Sequence, residues 1–95
     1  MRKGGWVYIL ADRYRGTIYT GVTANIEARS FQHATATGSE FCKKYGITRL
    51  VYADFAEDIT DAIAREKAMK KWRRAWKIRL IEQANPDWRD LFDTL

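Results

Sequence analysis

The sequence predicts an α+β domain in which a three-stranded antiparallel sheet is flanked by helices. Three segments rich in aromatic and β-branched residues, at residues 6–11, 17–22 and 48–55, are typical of β-strands. Over residues 59–84, apolar residues instead recur at helical spacing. The length of 95 residues is that of one domain. We therefore expect residues 1–95 to form a single folding unit.

The first two predicted strands are typical of a hairpin. Residues 6–11 are apolar throughout, as expected for a strand that is covered on both faces. Residues 12–16 are polar and close with Gly16, which is typical of a hairpin connection. The strand at residues 6–11 is therefore expected at the centre of the sheet, with residues 17–22 pairing against it.

The register of this hairpin decides where two tyrosines lie. If the loop covers residues 12–15, Tyr8 lies opposite Tyr19. Leu10 then lies opposite Thr17, and both phenols share one face of the sheet. A shift by one residue would separate the phenols, and the sequence alone does not fix the register.

A helix is predicted after the hairpin, with Asn25 as a favourable N-cap. Ile26, Arg29 and His33 follow helical spacing, so Arg29 and His33 share a stripe with an apolar residue. An arginine on an inward stripe either donates to a carbonyl of the fold or serves a functional site. The spacing leaves both alternatives open.

Two further helices are predicted downstream. Residues 34–46 lack clear periodicity, and we expect a loop there with a short helical turn around residues 40–45. The helical pattern over residues 59–84 is expected to break near Trp72, because one helix of that length would be long for so small a domain. Pro86 follows the end of the pattern.

Positive charge is concentrated in one segment. The chain has a net charge of +5, and residues 65–79 hold eight basic residues against the single acid Glu66, so this segment carries +7 and the remainder −2. Such density favours a polyanionic partner, with nucleic acid ahead of an anionic membrane. The alternatives are a solvated helix face without a partner and a membrane-surface protein, the latter disfavoured because no broad apolar face is left free of core packing. The predicted nucleic-acid-binding residues are Arg65, Lys67, Lys70, Lys71, Arg73, Arg74 and Lys77.

Cysteine content and the length of apolar runs indicate the compartment. Cys42 is the only cysteine, so no disulfide can form within the chain, and this suits a reducing environment. The apolar run at residues 6–11 is shorter than the core of a signal peptide. No run approaches the ~20 residues of a transmembrane helix. We expect a cytoplasmic protein that does not enter a membrane.

Glu66 is the acidic residue with the most informative spacing. It shares a helical stripe with Ile59, Ile63 and Met69, which places a carboxylate among apolar side chains. A buried lone carboxylate is unfavourable unless it is paired or binds a cation. Two interpretations stay open from spacing alone: a structural ion pair, with Arg29 as the candidate partner, or a metal ligand that faces the two tyrosines.

These residues, taken in order, resemble the GIY-YIG nuclease family. The family is named after two tripeptides on adjacent strands, and here they read Trp6-Val7-Tyr8 and Tyr19-Thr20-Gly21. Both tyrosines and the second glycine are present, whereas the first glycine and both isoleucine positions are replaced. The spacing of Arg29 and His33 and the position of Glu66 also match the family pattern.

The later part of the chain extends the resemblance. Residues 71–77 and 85–91 are similar to a small, single-domain bacterial branch of the family, related to the nuclease domain of the excision-repair excinuclease. This resemblance implies the GIY-YIG endonuclease fold and a metal-dependent endonuclease that hydrolyses phosphodiester bonds. It also implies a nucleic-acid substrate, with DNA favoured over RNA and with branched DNA and a DNA-repair setting as the expectation.

The resemblance implies a metal site and a proton acceptor. Glu66 would be the one protein ligand of a single Mg²⁺ or Mn²⁺ ion, and Mg²⁺ suits such a site because it keeps most of its waters. Tyr8 would take the proton from the attacking water. Tyr19 would position water or phosphate by hydrogen bonding.

The resemblance implies three further catalytic residues. Arg29 would hold the scissile phosphate and offset the charge that develops in the transition state. His33 is a second candidate for the base or for a phosphate contact. Asn85 would complete the site as a hydrogen-bond donor.

A second interpretation belongs to a different class of protein. A non-catalytic nucleic-acid-binding module could keep the fold and the basic helix without turnover. For either function we expect a monomer or a weak homodimer. Specificity would come from the shape of the nucleic acid, from dimerisation or from a protein partner.

Overall fold

The computed structural model describes residues 3–28 and 44–94, and it confirms the predicted α+β class. Within these ranges the order of elements is β1 (Gly5–Ala11), β2 (Ile18–Thr23), β3 (Arg49–Ala56), α1 (Ile59–Lys70), α2 (Arg74–Ala84) and a 3-10 helix at Leu91–Thr94. Residues 26–28 and 44–45 are also helical.

The sheet has the order β2-β1-β3, and both pairings are antiparallel. Strand β1 is therefore central, as its unbroken apolar sequence predicts. Six of its seven residues, Gly5 and Val7 to Ala11, are buried. Because β1 has a strand on each side and side chains packed on each face, it anchors the remainder of the described fold.

The predicted hairpin register is wrong by two residues. Tyr8 lies opposite Gly21, and Leu10 lies opposite Tyr19. The connection is longer than predicted because Asp12 closes it with two bonds: its backbone N–H donates to the Thr17 carbonyl (3.2 Å), and its carboxylate accepts from the Thr17 N–H (2.7 Å). A shift by two residues keeps every side chain on its face. Tyr8 and Tyr19 consequently share one face, as predicted.

The sheet separates two apolar clusters. One cluster joins Val7, Ile9 and Ala11 to Met69 of α1, Ile81 of α2 and Trp88, all of them buried. The other cluster lies on the opposite face and joins Tyr8 and Leu10 to Ile26, Ile47 and Leu50. We call this second side the tyrosine face. Tyr19 packs against it with part of its surface exposed.

The predicted break between two helices is confirmed. Helix α1 begins at an Asp58 N-cap whose carboxylate accepts from the Thr60 N–H (3.0 Å). After α1 ends, Arg73 adopts an extended conformation (φ −62°, ψ 146°), from which α2 starts. Among the described residues, no helix has the length and apolar character needed to cross a membrane.

The C-terminal segment covers an irregularity in β3. The pairing between β1 and β3 shifts at Ile9 and Leu10, which leaves Val51 as an extra residue in β3. The Val51 carbonyl accepts from Asn85 Nδ2 (3.2 Å). The N–H of Leu50 donates to the Asp90 carboxylate (3.2 Å). Side chains of residues 85–90 thereby satisfy backbone groups that the bulge removes from the ladder.

The hairpin loop is clamped to α2 by charged groups. Arg15 donates from Nε and Nη2 to the two oxygens of Glu82, each over 2.7 Å. Trp88 Nε1 also donates to Glu82 (2.8 Å). From the other side, Arg74 Nη2 donates to the carbonyls of Arg15 (2.7 Å) and Gly16 (2.5 Å). Local periodicity predicts none of these long-range bonds.

The clamp predicts a dependence of stability on pH. A hydrogen bond from Arg15 and, to a smaller extent, one from Trp88 lower the pKa of the Glu82 carboxyl from its ordinary 4.5 to about 2. A carboxyl whose folded-state pKa is depressed stabilises the fold above its unfolded-state pKa, and this contribution is lost as pH falls. The free energy of unfolding of the wild type should therefore exceed that of Glu82→Gln above about pH 5, and the difference should narrow between about pH 4.5 and pH 2.

Urea unfolding of both proteins across this range measures the difference, with Glu57→Gln as the control because Glu57 is exposed. A gap between wild type and Glu82→Gln that stays constant down to pH 2 would contradict the clamp.

Candidate functional site

The centre of the candidate site is the contact between Tyr8 and Gly21. Tyr8 lies on β1 and is 1% exposed. A Cβ atom added at Gly21 would lie 2.5 Å from the Tyr8 hydroxyl oxygen and 2.6 Å from its Cζ atom. The phenol therefore crosses the backbone of β2, and the missing side chain of Gly21 permits this close approach.

Tyr19 lies two residues before Gly21 on the same edge strand and on the same face. Lys70, from the last turn of α1, places its ammonium 5.9 Å from the centre of the Tyr19 ring. The same ammonium is 3.3 Å from Glu66 Oε1. Lys70 thus joins the carboxylate of α1 to the tyrosine of β2.

The ion pair that holds Glu66 is weaker than a fully buried ion pair would be. Its side chain is 13% exposed, and Lys70, its ion-pair partner among the described residues, is 51% exposed. Pairs of this kind at i,i+4 contribute about 0.3–0.5 kcal/mol. The 66–70 spacing is a signal that sequence reasoning missed. A pair this weak contributes little to holding the Glu66 carboxylate in place.

The donor chemistry around Glu66 fits a hard divalent ion that keeps most of its waters. Within residues 3–28 and 44–94, no three His, Cys, Asp or Glu side chains come together. That part of the chain thus offers no all-protein cage such as zinc or calcium sites use. A carboxylate oxygen with water in the remaining positions is the arrangement that suits Mg²⁺.

The helix predicted to carry Arg29 and His33 is described at its start. The Asn25 carboxamide accepts from the Ala28 N–H (3.1 Å), which confirms the predicted N-cap. Ile26 is 4% exposed and packs on the tyrosine face. Arg29 and His33 themselves lie outside the described residues, and their site roles stay predictions.

Asn85 lies at the C-terminal end of α2 and bonds β3 and the C-terminal segment. One amide nitrogen, Nδ2, donates to the carbonyls of Val51 (3.2 Å) and Arg89 (2.9 Å), and Oδ1 accepts from the Arg89 N–H (3.1 Å). Both amide hydrogens are used to hold the C-terminal segment on β3. These bonds give Asn85 a structural role in the described fold, and its predicted role as a hydrogen-bond donor in the site stays a prediction.

Three of the seven predicted nucleic-acid contacts have partners within the fold. Arg74 donates to the hairpin carbonyls, and Lys70 pairs with Glu66. Arg65 lies 3.9 Å from Asp54, and its hydrogen bond to Tyr52 partly offsets the rise in the pKa of Tyr52 that burial causes. For Arg74 in particular, the bonds to the loop explain its presence without a ligand.

The other four, Lys67, Lys71, Arg73 and Lys77, make no ion pair with any described residue. Lys67, Lys71 and Arg73 are exposed, and Lys77 is half-buried. They lie on α1, the connection between the helices, and α2. This group, the four unpaired cations, is the part of the basic segment that the described fold leaves available to a polyanion.

Comparison with known proteins identifies the family. Residues 4–79 match the model of the GIY-YIG catalytic domain. A UPF0213 protein of Syntrophus aciditrophicus (strain SB) is 36% identical over 83 residues, covering 86% of this chain and 93% of that protein. A UPF0213 protein of Clostridium perfringens (strain 13 / Type A) is 37% identical over 76 residues, covering 80% and 81%.

A solved structure agrees in fold. The solution NMR structure of a UPF0213 protein from Bacillus halodurans superposes with a TM-score of 0.54 at 28% identity, covering 86% of each chain. The resemblance carried by Tyr8, Tyr19 and Gly21 is thereby confirmed. This chain belongs to the GIY-YIG family of nuclease domains.

Proposed function

We propose that this protein is a metal-dependent endonuclease that hydrolyses phosphodiester bonds, with DNA favoured over RNA as the substrate. The observation that carries the proposal is the contact of the Tyr8 phenol with Gly21. Gly21 lies on the same strand as Tyr19, and both tyrosines lie on the same face of the sheet. Lys70 links Tyr19 to Glu66. The Tyr19 phenol on β2, the Lys70 ammonium and the Glu66 carboxylate on α1 are thus connected in sequence, and with Tyr8 they include the group types that the family chemistry needs.

Glu66 would hold a single divalent ion, Mg²⁺ or Mn²⁺, as its one protein ligand. When bound, such an ion supplies Lewis-acid stabilisation of charge on a phosphate oxygen. Tyr8 accepts the proton of the attacking water, and its position over Gly21 fixes the direction of its hydroxyl. Tyr19 orients water or phosphate, and the Lys70 ammonium adds positive charge beside it. Arg29 and His33 keep their predicted roles at the phosphate.

The four unpaired cations support a nucleic-acid partner. Polyanion binding by such groups releases counterions, so affinity falls steeply as salt rises. Arg74 does not belong to this set, because its guanidinium is used by the hairpin loop. The four unpaired cations lie on α1 and on the segment that follows it, close in sequence to Glu66.

Replacing Glu66 by glutamine tests the metal ligand. Cleavage should be lost, because glutamine keeps the shape and loses the charge that holds the ion. Nucleic-acid binding should persist or tighten, since one negative charge is removed. The free energy of unfolding should change by less than about 1 kcal/mol, because Glu66 pairs with a half-exposed lysine at i,i+4 spacing.

Cleavage, binding and urea unfolding are measured on the same preparation, with Glu57→Gln as the matched control. Full cleavage by Glu66→Gln would reject the metal site. Loss of several kcal/mol of stability would instead show that Glu66 is a structural ion-pair residue. A wild type that binds DNA without cleaving it in Mg²⁺ or Mn²⁺ would support the alternative of a non-catalytic binding module.

The contact between Tyr8 and Gly21 predicts a non-additive pair of substitutions. Tyr8→Phe keeps the ring and removes the hydroxyl, so the cleavage rate should fall by about 10²- to 10⁴-fold. Gly21→Ala should also reduce the rate, because its Cβ displaces the phenol. If Gly21 acts through Tyr8, the double variant should be no slower than Tyr8→Phe.

Single-turnover rates and thermal midpoints of the three variants are compared with the wild type. Additive losses in the double variant would show that Gly21 serves the fold or a different group. A Tyr8→Phe variant that cleaves at the wild-type rate would remove Tyr8 from the mechanism, whether or not Gly21→Ala folds.

Neutralising the four unpaired cations should weaken DNA binding across all sequences. Each phosphate contact that is lost should reduce the slope of log K against log salt by about 0.7–0.9. The variant carries Lys67→Gln, Lys71→Gln, Arg73→Gln and Lys77→Gln, and Arg13→Gln on the hairpin loop is the control. An unchanged slope in fluorescence-anisotropy titrations would place the binding surface elsewhere.

A further inference from the structure

A groove on the outer side of α2 is not used by the proposed nuclease chemistry. It has a volume of about 260 Å³ and is lined by Trp72, Trp76, Arg79, Leu80 and Gln83. These residues recur at helical spacing along one stripe. Trp76 is 52% exposed, which is unusual for so large an apolar side chain. We call this feature the tryptophan groove.

Trp72 and Trp76 provide the aromatic surface of the tryptophan groove. Their ring centres are 6.4 Å apart, with the planes at 72°. Arg65 places its guanidinium carbon 5.8 Å from the centre of the Trp72 ring. Arg79 adds a second cation to the lining, and Gln83 adds an amide that can both donate and accept hydrogen bonds.

The charge around the groove is predominantly positive. None of the lining residues that the structure describes is acidic. The one acid of helix α2, Glu82, accepts from Arg15 and Trp88 and is thereby held against the hairpin loop. Two of the four unpaired cations, Lys71 and Arg73, stand next to Trp72 in the chain. A ligand that has a flat aromatic group flanked by negatively charged groups fits this surface.

We propose that the tryptophan groove binds an unpaired base of a nucleic-acid strand, with Trp76 as the stacking surface. Aromatic side chains beside a basic track are the arrangement that proteins use to hold single strands, because every base has a π face and every linkage a charge. The proposal rests on the proposed nuclease function and narrows its substrate to DNA with an unpaired strand, such as a flap or a branch. Intact duplex offers no free base to this groove.

The test compares Trp76→Ala, Trp76→Phe and the wild type in binding two labelled strands of equal length, oligothymidylate and an abasic strand. All titrations contain EDTA, so cleavage does not enter the measurement. Trp76→Ala should weaken oligothymidylate binding roughly 5- to 150-fold, the range expected for the loss of one stacked base. Binding of the abasic strand should change little, and Trp76→Phe should recover most of the affinity.

Phe55→Ala is the matched control, because Phe55 is also 52% exposed but lies on β3. Equal weakening of both strands by Trp76→Ala, or no weakening of either, overturns the proposal. Unchanged strand binding together with a smaller sedimentation coefficient of the free variant also overturns it and identifies the groove as a protein contact.

The outcome is separable from the nuclease proposal. Loss of the base preference in Trp76→Ala supports the groove even if the wild type cleaves nothing. An inactive Glu66→Gln together with a neutral Trp76→Ala supports the nuclease and rejects the groove.

Discussion

The burial of strand β1 on both faces is the constraint on which the described structure depends. Val7 and Ile9 pack beneath the two helices, whereas Tyr8 and Leu10 pack on the tyrosine face. Because β1 also pairs along both edges, its register and orientation are fixed from four sides. Tyr8 carries the one hydroxyl in this strand. Its ring extends over Gly21 on the edge strand, and the fold thus directs a reactive group from the core to the border of the sheet.

The sequence predicted those features that follow from local pattern. The apolar run of residues 6–11 indicated the central strand, and the break near Trp72 followed from the length of the helical pattern. The common face of Tyr8 and Tyr19 was also correct, although the register was wrong by two residues. Side chains alternate with a period of two, so an even error in register preserves faces. The loop length set by Asp12 is invisible to such a pattern.

The sequence could not predict contacts between polar groups that are distant along the chain. Asn85 hydrogen-bonds the bulge at Val51, a contact that its position in the sequence does not indicate. Arg74 was expected to contact nucleic acid, yet it donates to the loop carbonyls of Arg15 and Gly16. The sequence pattern carries no information on which backbone groups a bulge or loop leaves unpaired. It therefore cannot show that these side chains already have hydrogen-bond partners in the fold. Their partners lie within reach only once the fold brings residue 85 to residue 51 and residue 74 to residues 15 and 16.

Glu66 is the single acid of the basic segment at residues 65–79, and its ion pair is weak. Breaking a buried ion pair typically costs about 3–5 kcal/mol, so a carboxylate held that way would resist exchange of its partner. Glu66 instead pairs with the half-exposed Lys70, a contact worth about 0.3–0.5 kcal/mol. Arg65, which has the charge to compete for Glu66, is turned towards Asp54 and Trp72. Arg65, the arginine next to Glu66 in the sequence, is thus engaged elsewhere, and Lys70 is the ion-pair partner of Glu66 among the described residues.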